Sequence, residues 1–238
     1  MLTQFSRTEL LLGSAATKKL NACRIAVFGI GGVGCAVVEA LARAGIGSLD
    51  LIDNDSFSLS NLNRQLFATH KTIGQPKVDV AAARIAELNP ECRVKTHKAF
   101  FLPEIASEFD FSNYDYIVDA IDTVAGKIAL ITKAHASGIP IISAMGTGNK
   151  LDPSAFEITD IYKTTICPLA HVMRKELRKK GIKSLKVVYS KEQPLTPAPL
   201  TDEPSTKRTT PGSTPFCPPV AGFLIAAKVI KDLLGKES

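Results

Sequence analysis

Residues 24–34 read Arg-Ile-Ala-Val-Phe-Gly-Ile-Gly-Gly-Val-Gly, an apolar run that passes directly into a glycine-rich turn. The β-branched and aromatic residues of the run predict a buried strand over 24–28, and the apolar residues from Gly32 to about Ala44 predict a helix. Four glycines let the backbone turn tightly and approach a phosphate, namely Gly29, Gly31, Gly32 and Gly34. The helix that follows would point its free N–H groups and the positive end of its dipole at the same place.

A carboxylate follows this turn at the distance that a nucleotide site requires. The second predicted strand, 48–52, ends at Asp53, about 20 residues past the glycines, where a carboxylate can hold a ribose hydroxyl. A glycine-rich turn alone could simply pack a helix against a strand. The strand before it, the helix after it and the position of Asp53 together predict nucleotide binding.

The rest of the chain repeats the same alternation of strands and helices. Further strands are predicted over 92–96, 114–119 and 139–143, and further helices over 76–88 and 127–136. This order is typical of an α/β fold, a Rossmann-like, doubly wound and mainly parallel sheet. The carboxyl ends of its strands form one crevice, which we expect to gather Gly29, Asp53, Asp119, Asp122 and Gly146.

Domain organisation follows from length and composition. The chain has 238 residues, of which 45% are hydrophobic and 22% charged, and we expect one domain over 1–238. Residues 194–219 are rich in proline, threonine and serine and predict a flexible crossover, followed by a C-terminal helix over 220–234.

Cysteine spacing and hydropathy exclude several classes of protein. The five cysteines form no CxxC pair and leave one unpaired, so neither a disulfide scaffold nor a zinc site is expected. No targeting segment and no membrane span are apparent, and we expect a cytoplasmic protein. Cys23, Cys35 and Cys92 are expected in the core, whereas Cys167 and Cys217 are minor candidates for a nucleophile.

Polar residues after Asp53 distinguish this site from a dinucleotide site. Asn61, Arg64, Gln65 and Lys77 follow it closely. Two fixed cations suit a triphosphate and a reaction in which pyrophosphate leaves. Asp119 and Asp122 offer oxygen ligands for Mg²⁺. The pattern favours ATP and adenylation of a carboxylate, which needs no general base because it is already ionised at neutral pH.

Each of these residues alone also has an ordinary explanation. Asn61, Arg64 and Gln65 could form a polar surface loop, Lys77 could be exposed in a first helical turn, and either acid could cap a helix. The predicted position of all these residues at one edge of the sheet favours the functional interpretation. The bare glycine motif also leaves open a nicotinamide oxidoreductase.

Three stretches, 52–55, 60–65 and 74–77, resemble the adenylation core of the ubiquitin-activating-like superfamily, whose bacterial members include ThiF, MoeB and HesA. The resemblance covers about residues 5–170. It implies that Asp53 binds the ribose, that Asn61, Arg64 and Lys77 handle the triphosphate, and that Asp122 holds Mg²⁺ with Asp119 behind it. It also implies that Asp55 shapes the phosphate loop and that Arg7 reaches the ATP of the other subunit in a homodimer.

Later segments are similar to one branch of this superfamily, the tRNA threonylcarbamoyladenosine dehydratases. They are residues 118–122, 146–149, 151–153, 159–164 and the step Pro168-Leu169 with the basic helix after it. The resemblance implies that ATP activates the threonyl carboxylate of a modified adenosine at position 37 of tRNA, and that ring closure then releases AMP. The missing CxxC pairs favour this branch, although Cys167 stands where its members often carry an acid.

Positive charge is concentrated in one segment. Nine Lys or Arg residues and one acid lie between Lys163 and Lys191, whereas the formal charge of the whole chain is +6. The helix predicted there carries Arg174, Lys175, Arg178 and Lys179 around an apolar side of Val172, Met173 and Leu177. Phosphate backbones attract such a stripe, so we interpret it as a tRNA contact. A merely solvated helix face is the alternative.

Two further functions remain open within the superfamily. The substrate could be the C-terminal carboxylate of a ubiquitin-like sulfur carrier. The chain could also be a non-catalytic, nucleotide-bound scaffold of a sulfur-transfer system, with a cysteine desulfurase as partner.

Overall fold

The computed structural model describes residues 2–198 and 211–236, and a seven-stranded sheet forms its centre. The strands are β1 (Arg24–Phe28), β2 (Ser48–Ile52), β3 (Arg93–His97), β4 (Tyr116–Asp119), β5 (Ile141–Ala144), β6 (Phe156–Asp160) and β7 (Lys186–Ser190). Their order is β3-β2-β1-β4-β5-β7-β6, and every neighbouring pair is parallel except β6 and β7. The predicted α/β fold is confirmed, and β6 and β7 extend it beyond the strands predicted from the sequence.

Seven helices accompany the sheet in the described part of the chain. They are α1 (Ser6–Leu12), α2 (Ser14–Ala22), α3 (Gly32–Arg43), α4 (Lys77–Leu88), α5 (Val124–Ala136), α6 (Pro168–Lys179) and α7 (Cys217–Leu234). None of them is long and apolar enough to cross a membrane. The predicted helices after β1 and β2 begin within one residue of the observed ones.

Strand β1 shows how the two faces of the sheet are filled. Ile25 and Val27 point to the side that holds α3, α4 and α7, whereas Ala26 and Phe28 point to the side of α5. All four side chains are fully buried. Since successive side chains of a strand point to opposite faces, a strand covered on both sides must be apolar throughout.

The last helix differs from its prediction. Helix α7 begins at Cys217 rather than at residue 220, and it packs closely on α3. A Cβ at Gly222 would lie 2.4 Å from the carbonyl oxygen of Val33, so only glycine allows this approach. Of the predicted flexible segment, residues 199–210 lie outside the described residues. Residues 211–216, by contrast, lie against the main body of the protein, where residues 211–213 line a cleft.

Candidate active site

A cleft of about 550 Å³ opens at the carboxyl ends of the central strands, where a doubly wound sheet binds its ligands. Most of the predicted ligand-binding residues line it, namely Gly29, Gly31, Gly32, Asp53, Asp55, Asn61, Arg64, Gln65, Lys77 and Asp122. Three predicted residues, Gly34, Asp119 and Arg7, are not in its wall. The sheet therefore gathers residues that are far apart in sequence.

The glycine turn has a different task for each glycine. Gly29 has a φ of 90°, and a Cβ there would lie 2.5 Å from the carbonyl oxygen of Ala120. Gly31 faces the open cleft, since the nearest atom to its added Cβ is 4.0 Å away. A Cβ at Gly34 would lie only 1.8 Å from the carbonyl oxygen of Gly29. Gly34 does not line the cleft, and its missing side chain lets α3 pack against the turn.

Asp53 is held at the end of β2 by two backbone donors. Its Oδ2 accepts from the N–H of Ile30 at 2.6 Å, and its Oδ1 accepts from the N–H of Asp55 at 2.8 Å. Each carboxylate oxygen has two acceptor positions, so both can still accept a hydroxyl hydrogen. The carboxylate is therefore fixed beside the glycine turn with free capacity for a ribose.

Lys77 is the first residue of α4, and its side chain is only 7% exposed. Its Nζ donates to Oδ2 of Asp55 at 2.8 Å, while its backbone N–H donates to the carbonyl of Asp55 at 2.9 Å. Asp55 itself is 60% exposed on its side-chain surface. An ammonium group has three hydrogens, so Lys77 keeps donors for an anion in the cleft.

The turn at residues 58–65 presents the other predicted phosphate ligands. Asn61 accepts from the N–H of Ser58 at 3.1 Å through its Oδ1, which fixes the turn. Nη1 of Arg64 donates to the carbonyl of Ser60 at 3.0 Å and to Oδ1 of Asn63 at 2.9 Å. The guanidinium group has five donors, so others remain for phosphate.

Gln65 is 5% exposed, and its Oε1 has no hydrogen-bond partner within the described residues. Buried polar atoms almost always have partners in native proteins. Gln65 lines the cleft as a residue, but this oxygen is itself buried and does not face the open space.

The two acids after β4 occupy different environments. Asp122 is exposed and lines the cleft. Asp119 is fully buried: its Oδ1 accepts from Nζ of Lys127 at 3.1 Å, and its Oδ2 accepts from the hydroxyl of Ser143 at 2.5 Å. Only Asp122 therefore reaches the cleft. The family resemblance implied this difference between the two acids, whereas their spacing in the sequence did not.

Lys127 was missed by the sequence analysis. Its buried ammonium group also donates to Oγ of Ser143 at 3.3 Å and to the carbonyl of Ala144 at 2.7 Å. Asp119 in turn accepts from the N–H of Ile121 at 3.2 Å, so the ion pair orients the loop that carries Asp122. The signal was a lysine on the buried face of α5, three and four residues before Leu130 and Ile131.

The carboxylates suit Mg²⁺ only in company with phosphates. The described residues contain no group of three or more His, Cys, Asp or Glu residues that could hold a metal ion by themselves. Mg²⁺ in nucleotide sites usually takes one or two carboxylates together with phosphate oxygens and water. A single free carboxylate at Asp122, in the same cleft as Arg64 and Lys77, fits such a shared ion.

Of the residues at a second end of the cleft, only Gly146 was placed in the crevice by the sequence analysis. Residues 146–148 after β5, Leu169 at the start of α6, and residues 211–213 before α7 line it. They come from three distant parts of the chain and carry few charged groups. This end adjoins the phosphate-binding residues and offers room for a second reactant.

Arg7 lies on α1, away from the cleft of its own chain. It is exposed, and α1 has no buried residue. Leu10 and Leu11 on the same helix are 86% and 85% exposed. The structure of one chain therefore gives Arg7 no access to a ligand in the described cleft.

The basic helix α6 shows the predicted stripe only in part. Met173 and Leu177 are buried, but Val172 is 42% exposed and was wrongly assigned to the apolar side. Arg174 is half-buried, and its Nη1 donates to the carbonyl of Thr164 at 3.0 Å.

The other three basic residues of the stripe face solvent. Arg178 lies over the ring of Tyr162, and Lys179 pairs with Glu176 at 2.7 Å. Lys175 is exposed as well. Three of the four predicted tRNA ligands therefore lie on the surface, while Arg174 also anchors the helix to the turn after β6.

The two candidate nucleophiles are buried. Cys167 is 2% exposed and Cys217 is fully buried, where Sγ of Cys217 lies 3.4 Å from the carbonyl of Lys150. Burial raises the pKa of the Cys217 thiol. Burial likewise raises the pKa of Cys35 to about 12 and that of Cys92 to about 11. These environments are those of structural rather than reactive cysteines.

Known proteins share this fold and match this chain over nearly its whole length. The model of the ThiF family matches residues 5–238. A tRNA threonylcarbamoyladenosine dehydratase from Bacillus subtilis (strain 168) is 43% identical over 243 residues, which span 98% of this chain and 96% of the relative.

Solved structures agree with this relationship. The crystal structure of the E. coli tRNA N6-threonylcarbamoyladenosine dehydratase in complex with ATP superposes with a TM-score of 0.89 at 34% identity, covering 98% of this chain and 94% of that chain. The same enzyme in complex with AMP gives a TM-score of 0.88 at 34% identity over the same shares. The chain belongs to the ThiF family, and within it to the group of tRNA threonylcarbamoyladenosine dehydratases.

Proposed function

We propose that this chain is an ATP-dependent tRNA threonylcarbamoyladenosine dehydratase. It adenylates the threonyl carboxylate of the modified adenosine at position 37 of tRNA, and ring closure then releases AMP. One observation carries the proposal: a single cleft joins the glycine turn, Asp53, Arg64, Lys77 and Asp122, in a chain 43% identical to such an enzyme over nearly its whole length.

ATP is oriented by the fixed groups of the cleft. The ribose hydroxyls donate to Asp53, whose carboxylate is held by two backbone N–H groups. The phosphates lie at the turn Gly29–Gly32 and at the N-terminus of α3, where free N–H groups and the helix dipole favour negative charge. Asn61, Gln65 and Asp55 complete this part of the wall.

Adenylation then needs positioning and charge stabilisation. A carboxylate oxygen of the substrate attacks the α-phosphorus, and the bond from that phosphorus to the bridging oxygen breaks. Negative charge grows on the departing pyrophosphate, where Arg64 and Lys77 stabilise it with donors that the protein leaves free. Mg²⁺, when bound beside Asp122, supplies further positive charge to the phosphates.

Ring closure follows at the uncharged end of the cleft. The carbamoyl group of the substrate attacks the activated carbonyl carbon and loses a proton, and the bond from that carbon to the phosphate oxygen of AMP breaks. Residues 146–148, Leu169 and residues 211–213 surround the space where this reactant would lie. The net change in the nucleoside is the loss of one water.

Arg7 and the exposed leucines of α1 support a homodimer. An unburied helix with Leu10 and Leu11 almost fully exposed suits an interface. We propose that Arg7 of one subunit reaches the triphosphate of the other. Such a dimer would act in the cytoplasm, where its tRNA substrate is made.

The exposed basic residues of α6 support contact with the tRNA backbone. Lys175, Arg178 and Lys179 are exposed on the helix whose first turn carries Leu169, and Leu169 lines the substrate end of the cleft. A tRNA held along α6 would bring its modified nucleoside to that end. A cysteine desulfurase partner has no comparable support, because Cys167 and Cys217 are buried.

Mass analysis of tRNA nucleosides tests the proposal. Incubation of the protein with ATP and tRNA that carries threonylcarbamoyladenosine should convert this nucleoside to a form lighter by one water, with AMP as the other product. An unchanged nucleoside would contradict the assignment. In that case ATP–pyrophosphate exchange that depends on a small Gly-Gly-ended protein would select the sulfur-carrier alternative, and ATP binding without AMP release would select the scaffold.

A further inference from the structure

Residues 211–213, which we call the strap, form one wall of the cleft at its substrate end. Asn149 holds the strap through both of its amide groups. The backbone N–H of Asn149 donates to the carbonyl of Gly212 at 2.7 Å, and its Oδ1 accepts from the N–H of Gly212 at 2.7 Å. One residue thus satisfies both backbone groups of Gly212.

The backbone of Asn149 adopts the left-handed conformation, with a φ of 59°. Most residues with a side chain avoid this conformation, whereas Asn tolerates it well. Its carbonyl also accepts from the N–H of Leu195 at 2.9 Å, so the loop after β5 is itself fixed. Asn149 is therefore a rigid attachment point for the strap.

The other end of the strap is tied to the phosphate site. The carbonyl of Ser213 accepts from Nδ2 of Asn63 at 3.0 Å. Oδ1 of the same amide accepts from Nη1 of Arg64 at 2.9 Å. A continuous series of hydrogen bonds thus runs from Asn149 through the strap to the arginine that we assign to the triphosphate.

The strap lies directly on the loop that follows β5. A Cβ at Gly148 would be 3.0 Å from Cβ of Pro211 and 3.2 Å from the carbonyl oxygen of Gly212. Both Gly148 and the strap line the cleft, so their contact closes one side of it. The contact is too tight to admit an added methyl group without movement of the strap.

We propose that Asn149 is a positioning residue that holds the strap as a wall against water at the acyl adenylate. The inference rests on the proposed function, because it concerns the fate of that intermediate. The carbamoyl group can attack the activated carbonyl and close the ring, or a water molecule can attack the same carbon. In the second case the bond to AMP also breaks, AMP leaves, a proton is released and the original carboxylate returns, so ATP is consumed without product.

The ratio of AMP formed to cyclic nucleoside formed measures this partition. Asn149→Gly keeps the left-handed backbone and removes the side-chain acceptor. We expect this variant to raise the fraction of adenylate lost to water by about fivefold, the factor that one lost hydrogen bond corresponds to in a local equilibrium. Asn149→Asp keeps an acceptor oxygen and a residue type that tolerates the conformation, and it should restore the wild-type ratio.

Gly148→Ala provides a second variant at the other side of the contact. Its added methyl group would push Pro211 and Gly212 away, so it should raise the same ratio although Asn149 is intact. Affinity for ATP, measured by calorimetry, should change little in both variants, since neither residue lies among the groups assigned to the nucleotide. A general loss of structure would instead weaken ATP binding.

Wild-type ratios in both Asn149→Gly and Gly148→Ala would overturn the proposal. A ratio that rises in Asn149→Asp as much as in Asn149→Gly would overturn it too, because the acceptor oxygen would then be irrelevant. Failure of the proposed function is separate from these outcomes, since the wild-type protein would then form no cyclic nucleoside.

Discussion

At the scale of single residues, Lys77 is buried, whereas its ion-pair partner Asp55 is exposed. Its ammonium group is enclosed by the wall of the cleft, while the carboxylate of Asp55 is mostly in water. Burial of a charge is costly unless it is paired, so the protein holds Lys77 with Asp55 at 2.8 Å. The exposed carboxylate can turn away when a phosphate offers stronger pairing.

Lys77→Ala should lower the rate of AMP formation by about 10²-fold or more, because a preorganised cation would no longer meet the departing pyrophosphate. The measurement is the turnover of ATP with substrate tRNA. Lys71→Ala is a matched control, since Lys71 is exposed in the loop just before α4. A near-normal rate for Lys77→Ala would show that this residue does not stabilise the departing pyrophosphate.

At the scale of elements, the end of α7 is fixed to the sheet by one carboxylate. Asp232 accepts from the hydroxyl of Tyr116 at 2.7 Å and from Nζ of Lys228 at 3.0 Å, and it pairs with Lys186 on β7. Burial raises the pKa of Asp232, but these donors outweigh the burial and bring its pKa below the ordinary 3.8. Helix α7 also covers α3, whose first turn lines the cleft.

Asp232→Asn should lower the free energy of unfolding at pH 7 by about 2 kcal/mol, because it removes the acceptor of charged hydrogen bonds. A carboxyl group with a lowered pKa in the folded state binds fewer protons there than in the unfolded state. Its contribution is present above the ordinary pKa and is lost as the pH falls through the folded value. The difference between the variant and the wild type should therefore shrink below about pH 4.

Urea unfolding at pH 7, 5 and 3.5 measures this dependence. Glu91→Gln serves as the control, since Glu91 is exposed. A difference that is constant across these pH values would contradict the assigned role of Asp232.

Helix α6 is the element that we assign to tRNA. Replacement of Lys175, Arg178 and Lys179 by Ala should weaken tRNA binding and reduce the slope of log affinity against log salt by about 0.9 for each lost phosphate contact. Replacement of the exposed Lys18, Lys71 and Lys95 by Ala removes the same charge elsewhere and should leave the slope nearly unchanged. If the two triple variants had equal slopes, the basic residues of α6 would not contact tRNA phosphates and would simply be solvated.

At the scale of the whole molecule, one chain leaves several leucines at its N-terminal end exposed, although α1 packs on α2 and Leu12 contacts the core. Leu2 is 94% exposed, and Leu10 and Leu11 are nearly as exposed. A twofold dimer would cover these side chains and could bring Arg7 of each subunit to the cleft of the other.

Mixed dimers test whether Arg7 acts in the other subunit. Arg7→Ala and Lys77→Ala should each be inactive alone. After subunit exchange, a mixed dimer contains one site with its own Lys77 and with Arg7 supplied by the other subunit. Activity should return to about a quarter of the wild-type level, because half of the dimers are mixed and each holds one intact site. No return of activity after verified exchange would show that Arg7 does not act across the interface.

Some residues of the site could be predicted from the sequence, and others could not. Asp53 and Lys77 could be placed because each lies next to the end of a strongly patterned element, and the fold carries such ends to one edge. The packing role of Gly34 was not predicted, since a glycine in a motif can serve packing as well as binding. Lys127 was missed because its place on the apolar face of α5 indicates burial but does not identify Asp119, eight residues earlier, as its partner.

The amino-acid sequence by itself determined the alternation of strands and helices and the glycine-rich turn at the end of β1, since these depend on local hydrophobic period and glycine geometry. Only the tertiary structure decided which acid reaches the cleft, where the strap lies and which cysteines are buried. Those outcomes depend on contacts between segments as distant as Asn149 and Gly212, and no local pattern encodes such distances.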